Sequence, residues 1–276
     1  MNKILVDELF LTIVELADLA AEISKKYFRK NIGIEYKDGT YPVTVVDREI
    51  ETCLRERIKK IYPTHGIIGE EFANHNADKK YIWVIDPIDG TAAFTTGKPT
   101  FTTLIALLED DKPAIGIIDQ AVLGDRFMGI AGQGAWFNGA RLAVSEESVL
   151  SHARLNATTP YMFKTTYEKN AFERVRKEVR LTAFGSDSYA YGLLAAGYID
   201  IIMEADLGYY DVAALIPIIN GSGGVITDWQ GNELNSKTFT GQCLASATHK
   251  LHDSILKIIG GWYLYAPSFL IIILNT

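Results

Sequence analysis

The run Trp83-Val84-Ile85-Asp86-Pro87-Ile88-Asp89-Gly90-Thr91 ends an apolar, β-rich segment on two carboxylates. Tyr81 to Ile85 predicts a short strand that leads into Asp86. Pro87 fixes its own φ, so Asp86-Pro87-Ile88-Asp89 predicts a stiff turn that aims both carboxylates at one point. Hard oxygen donors held in this way select Mg²⁺, Mn²⁺ or Ca²⁺ over zinc.

Downstream of this run, Thr102 to Leu108 and Ala114 to Ile118 predict strands joined by the polar turn Glu109-Asp110-Asp111-Lys112-Pro113. Arg126 to Ala131 and Ala135-Trp136-Phe137 predict a further pair, and Asn138-Gly139 is a tight-turn signal. Such a succession implies an antiparallel sheet. Upstream, Leu9, Ile13, Leu16, Ala20, Ile23 and Tyr27 recur at helical spacing within a helix expected from about Leu5 to Phe28. A turn is expected around Lys37-Asp38-Gly39. A second helix is expected to open at Asp47 as its N-cap, to bury Ile50, Leu54, Ile58 and Ile61, and to stop at Pro63. The later chain alternates: strand-like Arg154 to Thr158, Arg180 to Phe184, Tyr198 to Glu204 and Val225 to Asp228, with helices over Ala171 to Val179, Ser188 to Ala196 and Val212 to Ile219. This alternation implies an α/β lobe.

Two more acidic segments accompany the first: Gly69-Glu70-Glu71, and Tyr210-Asp211-Val212-Ala213-Ala214 at a helix start. Taken singly, each carboxylate is an ordinary solvated side chain, and Asp211 is an N-cap that favours the helix dipole. Their weight comes from standing together. His249 and His252 are read as non-ligands, and Gly221-Ser222-Gly223-Gly224 as a helix end and turn, because it follows a helix where a dinucleotide fingerprint precedes one. Tyr189 and Tyr191 fit a core as well as a substrate wall.

Together the segments resemble the inositol-monophosphatase superfamily, whose pattern is GEE, then W-x-I-D-P-I-D-G-T, then W/Y-D-x-A-A ending near a Gly-Gly pair, here Gly223-Gly224. The resemblance runs from about residue 5 to residue 258. It implies an α+β/α/β layered sandwich with alternating α-β-α-β-α layers. It also implies a phosphatase that uses two or three Mg²⁺ ions per active site to hydrolyse a small-molecule phosphate ester. Residues 1–261 are read as one phosphatase domain, with an N-terminal α+β lobe to about 140 that carries the metal motifs and a C-terminal α/β lobe beyond it. Residue by residue, the resemblance implies that Glu70, Asp86 and the Ile88 carbonyl hold one metal, and that Asp86, Asp89 and Asp211 hold a second. Asp47 and Thr91 are implied to orient the attacking water, with Glu70 helping to activate it. The Gly90 and Thr91 amides are implied to bind phosphate oxygens, and Lys37 lies where the family has a mobile loop near the phosphate. Physically, metal ions reverse the repulsion between four carboxylates and a phosphate dianion, and no covalent phosphoenzyme is required.

Several segments look more like the histidinol-phosphatase branch than the inositol branch. These include Lys37 to Thr44, Leu104 to Asp110, Asp211 to Ile218 and Thr227-Asp228-Trp229. Asp187, in Gly185-Ser186-Asp187-Ser188-Tyr189, stands where the inositol branch tends to have a small residue, and its carboxylate suits the cationic groups of histidinol phosphate. Glu204 is a second candidate, at a position that contacts substrate hydroxyls in the inositol branch. Gly208-Tyr209 departs from the Lys-Pro expected in the histidinol branch, and Asp187 also reads as a plain helix cap. An inositol-1-phosphatase or broad sugar-phosphate phosphatase is the alternative enzyme. A binding role in a transcription complex is the alternative from another class.

The chain has 276 residues and a net charge of −7, with 48% hydrophobic residues. Its overall field therefore does not attract nucleic acid or an anionic membrane. Two cysteines far apart and no secretory signal imply reduced thiols and a cytoplasmic protein. The resemblance implies a homodimer. An apolar tail, residues 262–276, extends past the family pattern, interrupted by Pro267 and too short to span a bilayer.

Overall fold

A computed structural model describes residues 3–31, 34–37 and 41–260. The apolar tail 262–276, the Lys37 side chain and residues 38–40 of the expected turn lie outside the described residues.

Helix α1 (Lys3–Tyr27) buries Leu9, Ile13, Leu16 and Ala20 along one stripe, as its spacing predicts. Strands β1 (Ile34–Lys37) and β2 (Tyr41–Thr44) pair antiparallel. Helix α2 (Val45–Ile61) buries Ile50, Leu54 and Ile58 and stops ahead of Pro63. Its cap differs from the expectation. Thr44 is the N-cap, and Asp47 sits at the third helical position, where its carboxylate accepts the Thr44 backbone N–H at 2.8 Å. The reciprocal capping box fixes this start, because Thr44 is already extended and the Asp47 side chain is long enough to reach back.

The first large sheet contains β3 (Gly66–Gly69), β4 (Tyr81–Asp89), β5 (Thr102–Glu109), β6 (Lys112–Gln120), β7 (Asp125–Ile130), β8 (Gly134–Phe137) and β9 (Ala140–Arg141), in that spatial order. Helix α3 (Thr91–Thr95) sits between β4 and β5. Only β3 and β4 pair parallel; the rest form the expected antiparallel meander. The β5–β6 turn is tighter than expected. Asp110 and Asp111, both left-handed at φ 52° and 63°, form it alone, a pattern that matches the strand twist.

The second sheet has the order β11-β10-β12-β14-β13. Its elements are β10 (Arg154–Ala157), α4 (Thr166–Glu178), β11 (Leu181–Phe184), α5 (Tyr189–Ala195), β12 (Ile201–Glu204), α6 (Tyr209–Val212), α7 (Leu215–Gly221), β13 (Val225–Thr227), β14 (Cys243–Ser246) and α8 (His249–Ile259). The single helix expected over Val212 to Ile219 is two short ones, α6 and α7, with a break at Ala213-Ala214.

The layers follow from which faces are apolar. On one face of the first sheet, Trp83, Ile85, Ile105 and Ile117 pack with α1 and α2. On the other, Ile82, Val84, Leu104 and Ile118 share a core with α5, α7 and the Ile202, Ala245 and Ile226 face of the second sheet. The opposite face of that sheet, Leu155, Ile201, Met203 and Leu244, packs under α4 and α8. The result is helix, sheet, helix, sheet, helix, the layered sandwich implied by the family resemblance. Among the described residues, no helix is long and apolar enough to cross a membrane.

Candidate active site

Asp86 lies inside β4, and the expected Pro87 turn is instead a bulged stretch of strand. The register with β5 shifts between Asp86, opposite Leu104, and Asp89, opposite Thr102. Proline is compatible with a bulge because its missing N–H costs no ladder bond there. Thr103 Oγ1 donates to the freed Pro87 carbonyl at 2.8 Å and holds the bulge in place. The extra residues turn Asp86 and Asp89 toward one side.

Asp211 joins them from the first turn of α6, where its Oδ2 accepts the Gly208 N–H at 2.7 Å. Oxygens of Asp86, Asp89 and Asp211 all lie within 4.8 Å of one another. Glu70 follows β3 and lines the same cleft; its N–H donates to the Ile85 carbonyl at 3.3 Å, which ties it to β4. The Ile88 carbonyl accepts from Thr91 Oγ1 at 3.1 Å, and Thr91 Oγ1 also reaches Asp47 Oδ1 at 3.3 Å. Asp47, Thr91 and the metal-ligand candidates are thus brought together from α2, α3, β4 and α6.

The electrostatics of this cluster are adverse without a cation. Burial pushes the Asp86 carboxyl well above the carboxylate range, and Glu70, Asp89 and Asp211 push it further. Asp211 is raised likewise by burial, then by Asp89 and Glu70. Asp89 is raised by burial, while hydrogen bonds from the Ser188 side chain and from the Ser188 and Gly90 backbone partly offset that. Asp86 Oδ1 is buried without a hydrogen-bond partner. Converging carboxylates and an orphaned buried oxygen fit a divalent metal with hard-oxygen preference.

The pH consequence has a definite sign. Groups whose folded pKa is raised favour the folded state when protonated, so their stabilising contribution is present at low pH and lost as pH rises through the raised values. The metal-free protein is therefore expected to melt at progressively lower temperature as pH rises above the ordinary carboxylate range. Saturating divalent cation should remove most of that slope. Calorimetry with chelator and with metal measures both; equal slopes in the two conditions would contradict the strained cluster.

The cleft has a volume of about 770 Å³ and is lined by Asp187, Tyr191 and Glu204 as well as by the trio. Among the described residues, seven carboxylates line it, those of Glu70, Asp86, Asp89, Asp187, Glu204, Asp206 and Asp211, against one amine, Lys164. Asp187 does not cap α5: the cap position is Ser188, and no side chain caps that helix. Gly185, Ser186 and Asp187 are all left-handed, at φ 96°, 82° and 44°. Such a run is costly for Ser and Asp, and strain of this kind concentrates at functional sites. The next N–H, from Ser188, donates to Asp89 Oδ2 at 2.6 Å. Gly90 must be glycine here, since it is left-handed at φ 81° and a Cβ on it would stand 2.8 Å from the Asp187 carboxyl. Burial, then Asp89 and Glu204, push Asp187 up to about 8.

Glu204 ends β12 and is buried, with one oxygen accepting the Thr158 N–H at 2.7 Å and the other the Tyr191 hydroxyl at 3.0 Å. Burial pushes it up to about 7. Tyr191 is thus both core and cleft wall, whereas the Tyr189 hydroxyl donates to Asp125 at 2.7 Å and does not line the cleft. Thr158 and Tyr191 carried no sequence signal as Glu204 partners, because the pairing joins β10, α5 and β12. His252 is buried between Thr227 and Ser246, away from the cleft, and burial lowers it to about 4. Ser222 and Gly223 end α7, as expected of that glycine-rich turn.

Comparison with known proteins agrees with this geometry. The pattern of the inositol monophosphatase family matches residues 5–260. A bifunctional phosphatase of Arabidopsis thaliana chloroplasts, IMPL2, is 45% identical over 220 residues, 78% of this chain; the chain spans 63% of that protein's length. A histidinol-phosphatase of Mycobacterium tuberculosis is 34% identical over 232 residues, covering 82% of this chain and 88% of the relative. A solved inositol monophosphatase from Zymomonas mobilis superimposes with a TM-score of 0.84 at 37% identity, covering 92% of this chain and 98% of that one. With the layered fold and the three acidic segments in family order, the chain belongs to the inositol monophosphatase family of phosphatases, on the side of its histidinol-phosphatase branch.

Proposed function

We propose that the protein hydrolyses histidinol phosphate to histidinol and phosphate, with Mg²⁺ held by its carboxylate cluster and water as the nucleophile. The observation that carries the substrate is the second acidic pair, Asp187 and Glu204, in the same cleft as Asp86, Asp89 and Asp211. A substrate that carries both a phosphate and a cation matches a cleft lined by a metal-binding trio and by a further pair of carboxylates.

Glu70, Asp86 and the Ile88 carbonyl would hold one ion, and Asp86, Asp89 and Asp211 a second. Bound Mg²⁺ supplies neutralisation of the phosphate charge, a lowered pKa for water and stabilisation of the departing alkoxide. The chain's own groups do the positioning. The Thr91 hydroxyl is held at Asp47 Oδ1 and the Ile88 carbonyl, so it can accept a hydrogen bond from the attacking water and fix its direction. Glu70 stands on the cleft wall to take the proton that water loses. The Gly90 and Thr91 amides, at the start of α3, are the candidates to hold phosphate oxygens. Asp187 and Glu204 would receive the ammonium or imidazolium. The working unit is proposed to be a homodimer, which sedimentation of the purified protein tests.

Inositol 1-phosphate is the second reading, favoured by Glu204, which can accept from ring hydroxyls as well as from a cation. The two separate on kcat/KM measured side by side. Histidinol phosphate is expected to exceed inositol 1-phosphate by at least about tenfold, the value of one charged contact. Equal values, or the reverse order, would move the assignment to the inositol branch.

A further inference from the structure

We propose that Glu51 and Arg55 form a buried brace whose role is to hold Glu70 at the metal site. The inference rests on the metal-site reading above and assigns positioning residues to it.

Both residues lie on α2, one helical turn apart. Glu51 is fully buried and Arg55 nearly so. Arg55 Nε donates to Glu51 Oε1 at 2.6 Å, and Glu51 Oε2 accepts the Glu71 N–H at 2.8 Å. The two remaining arms of the guanidinium donate to the Phe72 carbonyl at 3.0 Å and the Ala73 carbonyl at 3.1 Å. Among the described residues, every hydrogen bond of the pair beyond itself therefore falls on the backbone that follows Glu70.

The preceding residue is fitted to the same pair. A Cβ on Gly69 would stand 2.0 Å from Glu51 Oε1 and 2.8 Å from Arg55 Nη2. Gly69 is not left-handed, so the glycine is required by close approach and not by backbone conformation. Glu70 is gripped on both sides, by Gly69 packed on the carboxylate and by Glu71 to Ala73 hydrogen-bonded to the pair.

A buried ion pair is a poor way to gain stability, because desolvation offsets most of the attraction. It is a good way to fix one geometry. Glu70 needs fixing, since it must present a carboxylate to Asp86 and Asp211, which repel it until a cation arrives. A loosely held loop would swing its carboxylate into solvent, and each metal-binding event would then have to bring it back. The brace keeps the ligand in place beforehand.

The test compares metal binding with stability in the full-length, metal-stripped protein. Mg²⁺ and Mn²⁺ titrations by calorimetry are run on wild type, Glu51→Gln, Arg55→Lys and Gly69→Ala, with Glu70→Gln as the reference for a lost ligand and Ile258→Ala, in the distant α8 core, as a matched destabilised control. The brace predicts that Glu51→Gln, Arg55→Lys and Gly69→Ala each weaken metal binding by about 10- to 100-fold, approaching Glu70→Gln. Ile258→Ala should bind metal as wild type does. Gly69→Ala disturbs the contact from the loop side and leaves the α2 sequence unchanged, so it decides the matter if either helix variant fails to fold. Lowered melting temperatures with wild-type metal affinity in the folded variants would overturn the brace, leaving the pair merely structural. Absence of metal binding by wild type itself, or no effect of Glu70→Gln, would instead overturn the metal-site reading beneath it.

Discussion

Asp86→Asn is expected to lower Mg²⁺-dependent phosphate release by more than about a hundredfold, beyond what loss of a partner to a metal ligand costs, while leaving the fold intact. Asp86 is the carboxylate assigned to both metal positions, so its charge cannot be replaced by a neighbour. The same substitution carries an opposite expectation for the metal-free protein. Asp86 is buried, surrounded by Asp89, Asp211 and Glu70, and has an oxygen without a partner. Removing its charge relieves that repulsion, so the metal-free variant should melt no lower than metal-free wild type near neutral pH. It should also gain much less on addition of Mg²⁺. Circular dichroism, calorimetry and phosphate release on one preparation check all three. A folded variant with near wild-type turnover would remove Asp86 from the metal site.

Asp187→Ala is expected to lose one to two decades more kcat/KM on histidinol phosphate than on inositol 1-phosphate. A hydrogen bond to a charged group contributes about 1.5–3 kcal/mol, and a difference of that size in transition-state stabilisation appears directly in the ratio. The pH dependence follows from the position of the group. In the metal-free cleft, burial and the charges of Asp89 and Glu204 raise Asp187 to about 8. Metal at Asp89 and a cation at Asp187 both favour the ionised form, so the shift should shrink in the working enzyme. Preference for the cationic substrate should therefore rise with pH as Asp187 ionises, and in Asp187→Asn, which keeps the shape and removes that charge, only the part owed to Glu204 should remain. Equal losses on both substrates would identify Asp187 as a support for the Ser188 N–H on Asp89 instead.

The chemistry was more legible in the sequence than the geometry that delivers it. Asp86 and Asp89 declared themselves by their spacing around Pro87, and the strand leading to them was plain. The bulge was not, since it depends on Thr103 of the neighbouring strand receiving the Pro87 carbonyl. Asp47 was placed on α2, but its link to Thr91 spans 44 positions and no local pattern announces it. The helix starts ahead of Asp47 because Thr44 and Asp47 together form a reciprocal capping box, which outweighs Asp47 as a lone cap.

Short buried elements were the hardest to find. Strand β14, Cys243–Ser246, is buried on both faces, so it lacks the alternation that marks a strand, and β3, Gly66–Gly69, has two glycines in four residues. Glu51 and Arg55 stand i to i+4 on α2, a spacing that exposed and interior helical pairs share. Their burial, and the packing of Gly69 against them, arise only when β3 and the loop after it close over α2. Asp187 stood out by chemistry alone, and its left-handed backbone and contact with Gly90 emerge only when β4 and α5 meet.

The most direct measurement is phosphate release from histidinol phosphate by the metal-stripped protein as Mg²⁺ is added back. The account predicts no release above background in chelator and a saturable return of activity with Mg²⁺. It also predicts that Asp86→Asn and Asp211→Asn stay inactive at concentrations that saturate wild type. Undiminished release in chelator, or full activity in both variants, would contradict a carboxylate-held metal as the centre of the reaction.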